Sequence, residues 1–306
     1  MDVALSCLIV GCGYVGSRLA RRELARRPLL ALVRSGRSET DLHSAGVRTL
    51  RVDLDAAPDS AQQPALAAAT DHSAVVYLAP PPDRGTTDPR LATFLAQIEG
   101  ATPAVFVYIS TTGVYGDAGG ALVDEFTPVA PSNDRSRRRV AAESTVQAWC
   151  TARGVRWVIL RVPGIYGPNR LPLERLRRRE PALREEDAGP GNRIHVDDLV
   201  AAIVAAVDRP SVRGVFNVTD GDYASTTAYL QLTAAVVGIE PPPLVSKAEA
   251  REKIPAGMLS FLLESRRVDN RRMLADLGLQ LQYPTLQSGV LASFAEMRHA
   301  REAAAT

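Results

Sequence analysis

Residues 8–16 read Leu8-Ile9-Val10-Gly11-Cys12-Gly13-Tyr14-Val15-Gly16, a short apolar run that leads directly into three glycines. An apolar run, this glycine spacing and a following helical pattern are typical of a strand, turn and helix that bind a dinucleotide. Gly11 permits the tight turn, Gly13 lets the backbone approach the pyrophosphate, and Gly16 allows the helix to pack closely on the sheet. The helix N-terminus offers free N–H groups to the anion. Residues 8–16 therefore predict a Rossmann-type dinucleotide site.

Short apolar runs and helical stretches continue to alternate beyond this turn. Strands are predicted at 5–10, 29–33, 47–52, 74–79, 104–109 and 155–160, and helices at 14–27, 91–99 and 140–153. Continuous apolar strands separated by helices favour a parallel sheet that is covered on both faces. We therefore predict an α/β fold in which residues 1–162 form a doubly wound parallel Rossmann sheet.

The pattern changes after residue 162. Pro and Arg become frequent between 163 and 190, and the apolar periodicity fades. Helices are predicted at 197–207 and 226–237, a short strand at 215–218, and a helical, basic region from 241 onward. Residues 163–306 are therefore predicted to form a smaller, mainly helical C-terminal substrate lobe, interleaved with returns to the main sheet.

The composition is that of an ordinary globular enzyme, with 46% hydrophobic and 23% charged residues among 306. A net charge of +2 is too small to favour binding to nucleic acid or to a membrane surface. The three cysteines form neither a disulfide framework nor a metal-ligand spacing, so we expect no metal site. No run approaches the ~20 apolar residues of a membrane span. The first apolar run ends in a glycine turn rather than a cleavage site, so we expect a cytoplasmic protein.

The residues after the second predicted strand indicate which dinucleotide is bound. An Asp or Glu at this position would hydrogen-bond the adenosine ribose of NAD, but the chain has Arg34 and Ser35. A guanidinium and a hydroxyl suit a 2′-phosphate, so we predict NADP in preference to NAD. The alternative is that Arg34 is a solvated loop residue. Asp53, at the end of the third strand, is placed to contact the adenine edge or, alternatively, to cap the following turn.

Further segments follow the glycine turn in an order that resembles one family. They are Val52-Asp53-Leu54, Ile109-Ser110-Thr111-Thr112-Gly113-Val114-Tyr115-Gly116, Asp124-Glu125 with Pro128, Leu160-Arg161-Val162-Pro163-Gly164-Ile165-Tyr166-Gly167-Pro168, and Arg193-Ile194-His195-Val196-Asp197-Asp198-Leu199. The chain resembles the extended short-chain dehydrogenases, the NAD-dependent epimerase/dehydratase group, and more closely the atypical branch of that group.

The resemblance implies an NAD(P)-binding oxidoreductase or epimerase/dehydratase-type enzyme. Its substrate would be a small molecule, a nucleotide-sugar or another anionic compound, and the family analogy also suggests a homodimer. The residues that the motifs and the resemblance assign to the cofactor are Gly11, Gly13, Tyr14, Val15, Gly16, Arg34, Ser35, Asp53, Leu54, Leu78, Ala79, Arg161 and Gly164.

The chain departs from the family at two positions that carry its chemistry. The family uses a Ser or Thr, a Tyr that exchanges a proton with the substrate oxygen, and a Lys four residues after the Tyr. Thr111 stands at the Ser/Thr position, whereas Arg135 and Arg139 stand at the Tyr and Lys positions, counted back from Glu143. An arginine keeps its proton because its pKa exceeds about 12, so neither can act as the acid.

Another group would therefore have to act as the acid. Tyr115, Tyr166 and His195 are the candidates by motif position, and a structural role is the alternative for each. We take Thr111, Tyr115 and Arg139 as the candidate catalytic residues. Because the Tyr and Lys are missing, a second hypothesis stays open. In it the protein binds NAD(P) without turnover and acts as a sensor or partner-binding protein.

Overall fold

The computed structural model describes residues 5–57, 59–253 and 264–305. Its strands are β1 (Cys7–Val10), β2 (Leu29–Val33), β3 (Arg48–Arg51), β4 (Ala74–Tyr77), β5 (Val105–Thr111), β6 (Leu122–Val123), β7 (Arg156–Val162), β8 (Gly164–Tyr166), β9 (Ala182–Leu183), β10 (Arg193–His195), β11 (Gly214–Asn217), β12 (Leu244–Val245) and β13 (Arg267–Val268). Its α-helices are α1 (Tyr14–Glu23), α2 (Gly36–His43), α3 (Gln63–Thr70), α4 (Pro89–Gln97), α5 (Asp134–Ala152), α6 (Leu173–Arg177), α7 (Val196–Asp208), α8 (Thr226–Val237), α9 (Lys247–Lys253), α10 (Arg271–Asp276) and α11 (Leu286–Ala305).

Seven strands form one parallel sheet in the order β11-β7-β5-β4-β1-β2-β3. Side chains alternate across it, so that Leu8 and Val10 enter the core on one face while Cys7 and Ile9 enter the core on the other. Helices cover both faces, which confirms the predicted doubly wound Rossmann fold. Because the strands are parallel, their carboxyl ends share one edge of the sheet, and a ligand is expected there.

Helices α1, α2 and α5 are among those that differ from their predicted bounds or were not predicted. Helix α1 ends at Glu23 rather than residue 27; residues 24–26 form a turn, and Pro28 disfavours helical backbone at Arg27. Helix α5 begins at Asp134 rather than residue 140, because the side chain of Asn133 accepts a hydrogen bond from Ser136 N–H and caps it. Helix α2 was not predicted, since its sequence is polar and lacks an apolar stripe.

The C-terminal part is mainly helical, as predicted, and its chain does return to the main sheet. Strand β11 pairs with β7 at the sheet edge, and α7 packs against α1. The remaining segments are connected by three short parallel strand pairs, which are β8 with β10, β9 with β12 and β6 with β13. A separate apolar core contains Tyr166, Leu286 and Val290. The division at 162/163 stays a prediction. Among the described residues, no helix has the length and apolar character needed to cross a membrane.

Candidate cofactor and substrate site

The glycine turn places its three glycines in different surroundings. Gly11 has a φ of +95°, and a Cβ there would lie 2.7 Å from the backbone nitrogen of Ala79, so β1 and β4 meet without space for a side chain. A Cβ at Gly16 would lie 2.6 Å from the Gly11 carbonyl oxygen. A Cβ at Gly13 would meet nothing within 4 Å, and α1 begins there without a side-chain cap. Gly11 and Gly16 therefore serve packing, while Gly13 faces open space beside free helix N–H groups.

The side chains of Tyr14 and Val15 hold this turn in place. The Tyr14 hydroxyl donates a hydrogen bond to the Pro168 carbonyl at 2.8 Å, and the Arg170 guanidinium lies 4.7 Å from the centroid of the Tyr14 ring. Val15 packs against the core. The segment that follows β8 therefore lies over the glycine turn, at the point where the sequence predicts the cofactor.

Arg34 and Ser35 follow β2 at the carboxyl edge of the sheet. The Arg34 side chain is 69% exposed and lies 3.6 Å from the Asp55 carboxylate. Asp55 is also held at two points by Arg90, each at 2.6 Å, and this contact lowers the pKa of Asp55. Ser35 caps α2 by accepting a hydrogen bond from Ser38 N–H. Both predicted residues are thus accessible, and Arg90 already neutralises the acid beside Arg34.

The remaining predicted adenosine and ribose contacts lie at the ends of β3 and β4. Asp53 is exposed and accepts a hydrogen bond from Asp55 N–H at 3.0 Å, so it does cap its turn. Leu54 is half-buried against the core. Leu78 follows β4, is half-buried, and precedes the Ala79 backbone that contacts Gly11. The structure thus places these residues along one edge with the glycine turn.

A cavity of about 680 Å³ opens beside the carboxyl ends of β5 and β7. Thr111 and Gly164 border it from the sheet side, Ser136 from α5, and Tyr229 and Glu264 from the C-terminal part. Its size suits a small-molecule ligand. Of the predicted residues, Thr111 and Gly164 therefore border a space in which a substrate can bind.

Two hydroxyls flank Gly113 at this cavity. A Cβ at Gly113 would lie 3.0 Å from Ser136 Oγ and 3.5 Å from Thr111 Oγ1, and Thr111 Oγ1 also accepts a hydrogen bond from Gly113 N–H. Ser136 was not predicted from the sequence. The available signal was the Asn133 cap, which starts α5 early enough to bring Ser136 into the first turn.

Tyr115 and Arg161 belong to a buried network beneath the cavity. Tyr115 is 3% exposed, and its hydroxyl donates to Asn217 Oδ1 at 2.8 Å and accepts from Arg161 at 3.0 Å. Arg161 forms an ion pair with Glu143 at 2.8 Å, and Glu143 also accepts a hydrogen bond from Ser110. Burial raises the pKa of Tyr115. The geometry therefore favours a positioning role for Tyr115 and Arg161 over direct contact with ligand.

The two alternative acids are buried away from the cavity. His195 is 1% exposed; its Nδ1 accepts a hydrogen bond from Asp197 N–H, and its Nε2 lies 3.2 Å from Ser293 Oγ. Burial lowers the pKa of His195 to about 4, so it is neutral at pH 7. Tyr166 is 2% exposed, and its ring packs edge-on against that of His195. Neither side chain borders the cavity.

The comparisons with known proteins agree with this architecture. Residues 7–219 match the model of the NAD dependent epimerase/dehydratase family. The chain belongs to this family. Among solved structures, a conserved protein of unknown function from Silicibacter pomeroyi is 28% identical, with a TM-score of 0.81 over 96% of this chain and 99% of its own. MoeE5, solved with UDP-glucose and NAD, is 22% identical, with a TM-score of 0.75 over 97% and 99%, and shows the fold alone.

The curated relatives match this epimerase/dehydratase chain over a shorter stretch. A 3-diazoavenalumate denitrifying reductase of Streptomyces sp is 32% identical over 108 residues, which is 35% of this chain and 35% of that protein. The chain spans about a third or less of the length of the curated relatives that it matches. Within the described ranges, no group of three or more His, Cys, Asp or Glu side chains could hold a metal ion.

The helix that carries the chemistry of the family has three arginines on one face here, of which two border the cavity. Arg135 is exposed and borders the cavity. Arg138 also borders it, is 7% exposed, and donates to the Gly85 carbonyl at 2.7 Å. Arg139 is half-buried and donates to the Tyr108 hydroxyl at 3.1 Å and to the Ile109 carbonyl at 2.9 Å. Arg139 is therefore tied to β5 and does not border the cavity, in contrast to Arg135.

Proposed function

We propose that this protein is an NADP-dependent oxidoreductase of the epimerase/dehydratase family that acts on an anionic small molecule. The observation that carries the proposal is the pair of hydroxyls, Thr111 and Ser136, at a cavity on the same sheet edge as the glycine turn. A ligand at the glycine turn and a substrate in this cavity would be neighbours along that edge. MoeE5, a protein of the same fold, has been solved with UDP-glucose and NAD, which supports a nucleotide-sugar or a similarly charged substrate.

The residues present fit a dinucleotide. The open space at Gly13 and the uncapped first turn of α1 suit a pyrophosphate. The exposed guanidinium of Arg34 and the hydroxyl of Ser35 suit a 2′-phosphate, which is the basis for NADP in preference to NAD. When bound, the nicotinamide would supply the hydride donor or acceptor.

The chain's own contribution is to orient the substrate and to stabilise charge. The Thr111 and Ser136 hydroxyls would hydrogen-bond the substrate oxygen, and Arg135 would stabilise negative charge that develops on it. A guanidinium does not release its proton near neutral pH, so the proton that accompanies hydride transfer would come from solvent through these hydroxyls. Tyr115 and Arg139 would position β5 and α5 rather than touch the substrate.

Two measurements test the proposal. Calorimetry with NADP and NAD measures cofactor binding. Turnover is measured as NADPH oxidation with aldehydes and 2-oxo acids, and as NADP reduction with nucleotide-sugars. We expect NADP binding, turnover of at least one anionic substrate, and a fall in kcat in Thr111→Val without loss of NADP affinity. Absence of binding of either dinucleotide at millimolar concentration would contradict the proposal.

A second candidate function follows from Arg135 and Arg139, which stand where the family places its Tyr and Lys. In this reading the protein binds NAD(P) without turnover and acts as a sensor or partner-binding protein. Cofactor binding without oxidation of NADPH or reduction of NADP by any member of the panel would favour this hypothesis over the first.

A further inference from the structure

One face of α5 carries three guanidinium groups at the spacing i, i+3 and i+4, namely Arg135, Arg138 and Arg139. Residues at this spacing lie on the same side of a helix. In the part of the chain that the structure describes, none of the three has a carboxylate within ion-pair distance. Arg137, between them in sequence, differs because it pairs with Asp134 at 2.7 Å. The two of these guanidinium groups that border the cavity, those of Arg135 and Arg138, therefore have no ion-pair partner among the described residues.

Arg138 is the most informative of the three, because it is only 7% exposed. A guanidinium carries five N–H donors, and the described partner of Arg138 is one backbone carbonyl, that of Gly85. A buried cation without a counter-ion is costly, and buried charges in proteins are ordinarily paired. An anion bound in the cavity would supply the counter-ion that Arg138 lacks among the described residues.

The acids nearby do not supply that charge. Glu264 is the one carboxylate among the described residues that border the cavity, and it already pairs with Arg266 at 3.0 Å and accepts hydrogen bonds from Ser132 and Asn133. Asp88 caps α4 and lies close enough to Arg139 to interact with it electrostatically, but it does not border the cavity. Neither acid forms an ion pair with Arg135 or Arg138.

The cofactor does not supply it either. Its phosphates are expected at the glycine turn after β1 and at Arg34 after β2. Strand β5, whose end carries Thr111, lies two strands from β1, a separation of about 10 Å from the usual strand spacing. A substrate bound next to Thr111 and Ser136 is the remaining source of a counter-ion for these arginines.

We propose that the substrate carries a carboxylate or phosphate group next to its reacting carbon, and that Arg135 and Arg138 bind this group. This inference rests on the proposed function and specifies its substrate class. A guanidinium binds either group through two parallel hydrogen bonds, which fixes orientation as well as charge. Arg139 is hydrogen-bonded to β5 and does not border the cavity, but its charge adds to the positive electrostatic potential there.

The test uses oxalate and inorganic phosphate as probes, titrated by calorimetry into the NADP-loaded protein. We expect at least one of the two anions to bind. Arg135→Gln should lower the affinity for that anion about 10-fold or more, the loss expected for charge-assisted hydrogen bonds. Arg135→Lys should restore part of the affinity. Arg137→Gln is the matched control, since it removes a guanidinium from the same helix outside the cavity and should leave the affinity unchanged. Tighter oxalate binding indicates a carboxylate, and tighter phosphate binding indicates a phosphate ester.

Three outcomes would overturn the inference: neither anion binds at millimolar concentration, Arg135→Gln binds as the wild type does, or Arg137→Gln weakens binding equally. The NADP titration is performed separately on each variant, and the anion titration is repeated without NADP. A loss of NADP binding alone would contradict the proposed function and leave the anion result interpretable. Arg138→Lys, checked for folding by circular dichroism, should also weaken the anion while retaining NADP.

Discussion

Arg161 of β7 and Glu143 of α5 form a buried ion pair, with Arg161 Nη2 2.8 Å from Glu143 Oε2 and a second contact from Arg161 Nε at 3.2 Å. The two side chains are 7% and 5% exposed. Ser110 and Tyr115 complete the network from β5 and the turn that follows it. The pair therefore holds α5 against the sheet. It thereby determines where Ser136 and Arg135, in the first turn of α5, border the cavity.

Removing one partner of this pair should destabilise the fold. Glu143→Gln keeps the shape but leaves the Arg161 guanidinium buried without its counter-ion, so we expect a loss of about 3–5 kcal/mol in the free energy of unfolding. Denaturant titration measures it. Glu174→Gln is the control, because Glu174 and Arg178 are each 65% exposed and should contribute less than about 1 kcal/mol. Equal losses of unfolding free energy in the two variants would show that the buried pair contributes no more to stability than the exposed pair.

We expect Asp220 to lower the free energy of unfolding as the pH rises. Burial raises its pKa to about 7, with Asp222 and Asp198 adding repulsion and Arg193 opposing it. The unfolded chain releases this proton near pH 4, so between about pH 4 and 7 the folded state binds the additional proton. Its contribution to stability therefore falls as the pH rises through this window, by a few kcal/mol in total.

The comparison between wild type and Asp220→Asn isolates this effect from that of His195. The pKa of His195 is lowered to about 4, so its contribution rises between about pH 4 and 6.5, the opposite sign. Urea unfolding at several pH values should show the variant gaining stability relative to the wild type between pH 4.5 and 8. Parallel curves for the two proteins would mean that Asp220 is ionised throughout.

The two glycines of the turn should respond differently to alanine. Gly13→Ala places its Cβ in open space, so we expect unfolding free energy to change by less than about 1 kcal/mol while NADP affinity falls, because the methyl group occupies the space proposed for the pyrophosphate. Gly11→Ala meets the Ala79 backbone at 2.7 Å from a left-handed φ, so it should cost more than about 1–2 kcal/mol. Thermal unfolding and calorimetry separate the two effects, and an unchanged NADP affinity in Gly13→Ala would count against a phosphate at this turn.

The sequence predicted the sheet well because its signals are local. A glycine turn and short apolar runs specify β1, β4, β5 and β7 through neighbouring residues alone. The site depended on packing that no local pattern reveals. Ser110 and Thr111 are adjacent on β5, yet strand alternation directs Ser110 to Glu143 and leaves Thr111 at the cavity.

The arginines of α5 illustrate the same limit. Arg135 and Arg139 were assigned by counting from Glu143, which places both on one helix face but does not distinguish their partners. The structure ties Arg139 to Ile109 and leaves Arg135 at the cavity, because α5 crosses the end of β5 at its first turn. Arg138 could not be singled out from sequence, since its burial depends on the loop that contains Gly85.

The choice of NADP over NAD rests on Arg34, and a single charge reversal tests it. Arg34→Asp would place a carboxylate where a 2′-phosphate is expected, so NADP affinity should fall about 10- to 100-fold, the loss of a charge-assisted hydrogen bond, while NAD affinity changes little. Arg37→Asp is the matched control, since Arg37 is also exposed but lies within α2. Calorimetry with NADP and with NAD gives the ratio of the two affinities in each variant. An equal loss for NADP and NAD in Arg34→Asp would mean that Arg34 contacts a part common to both cofactors.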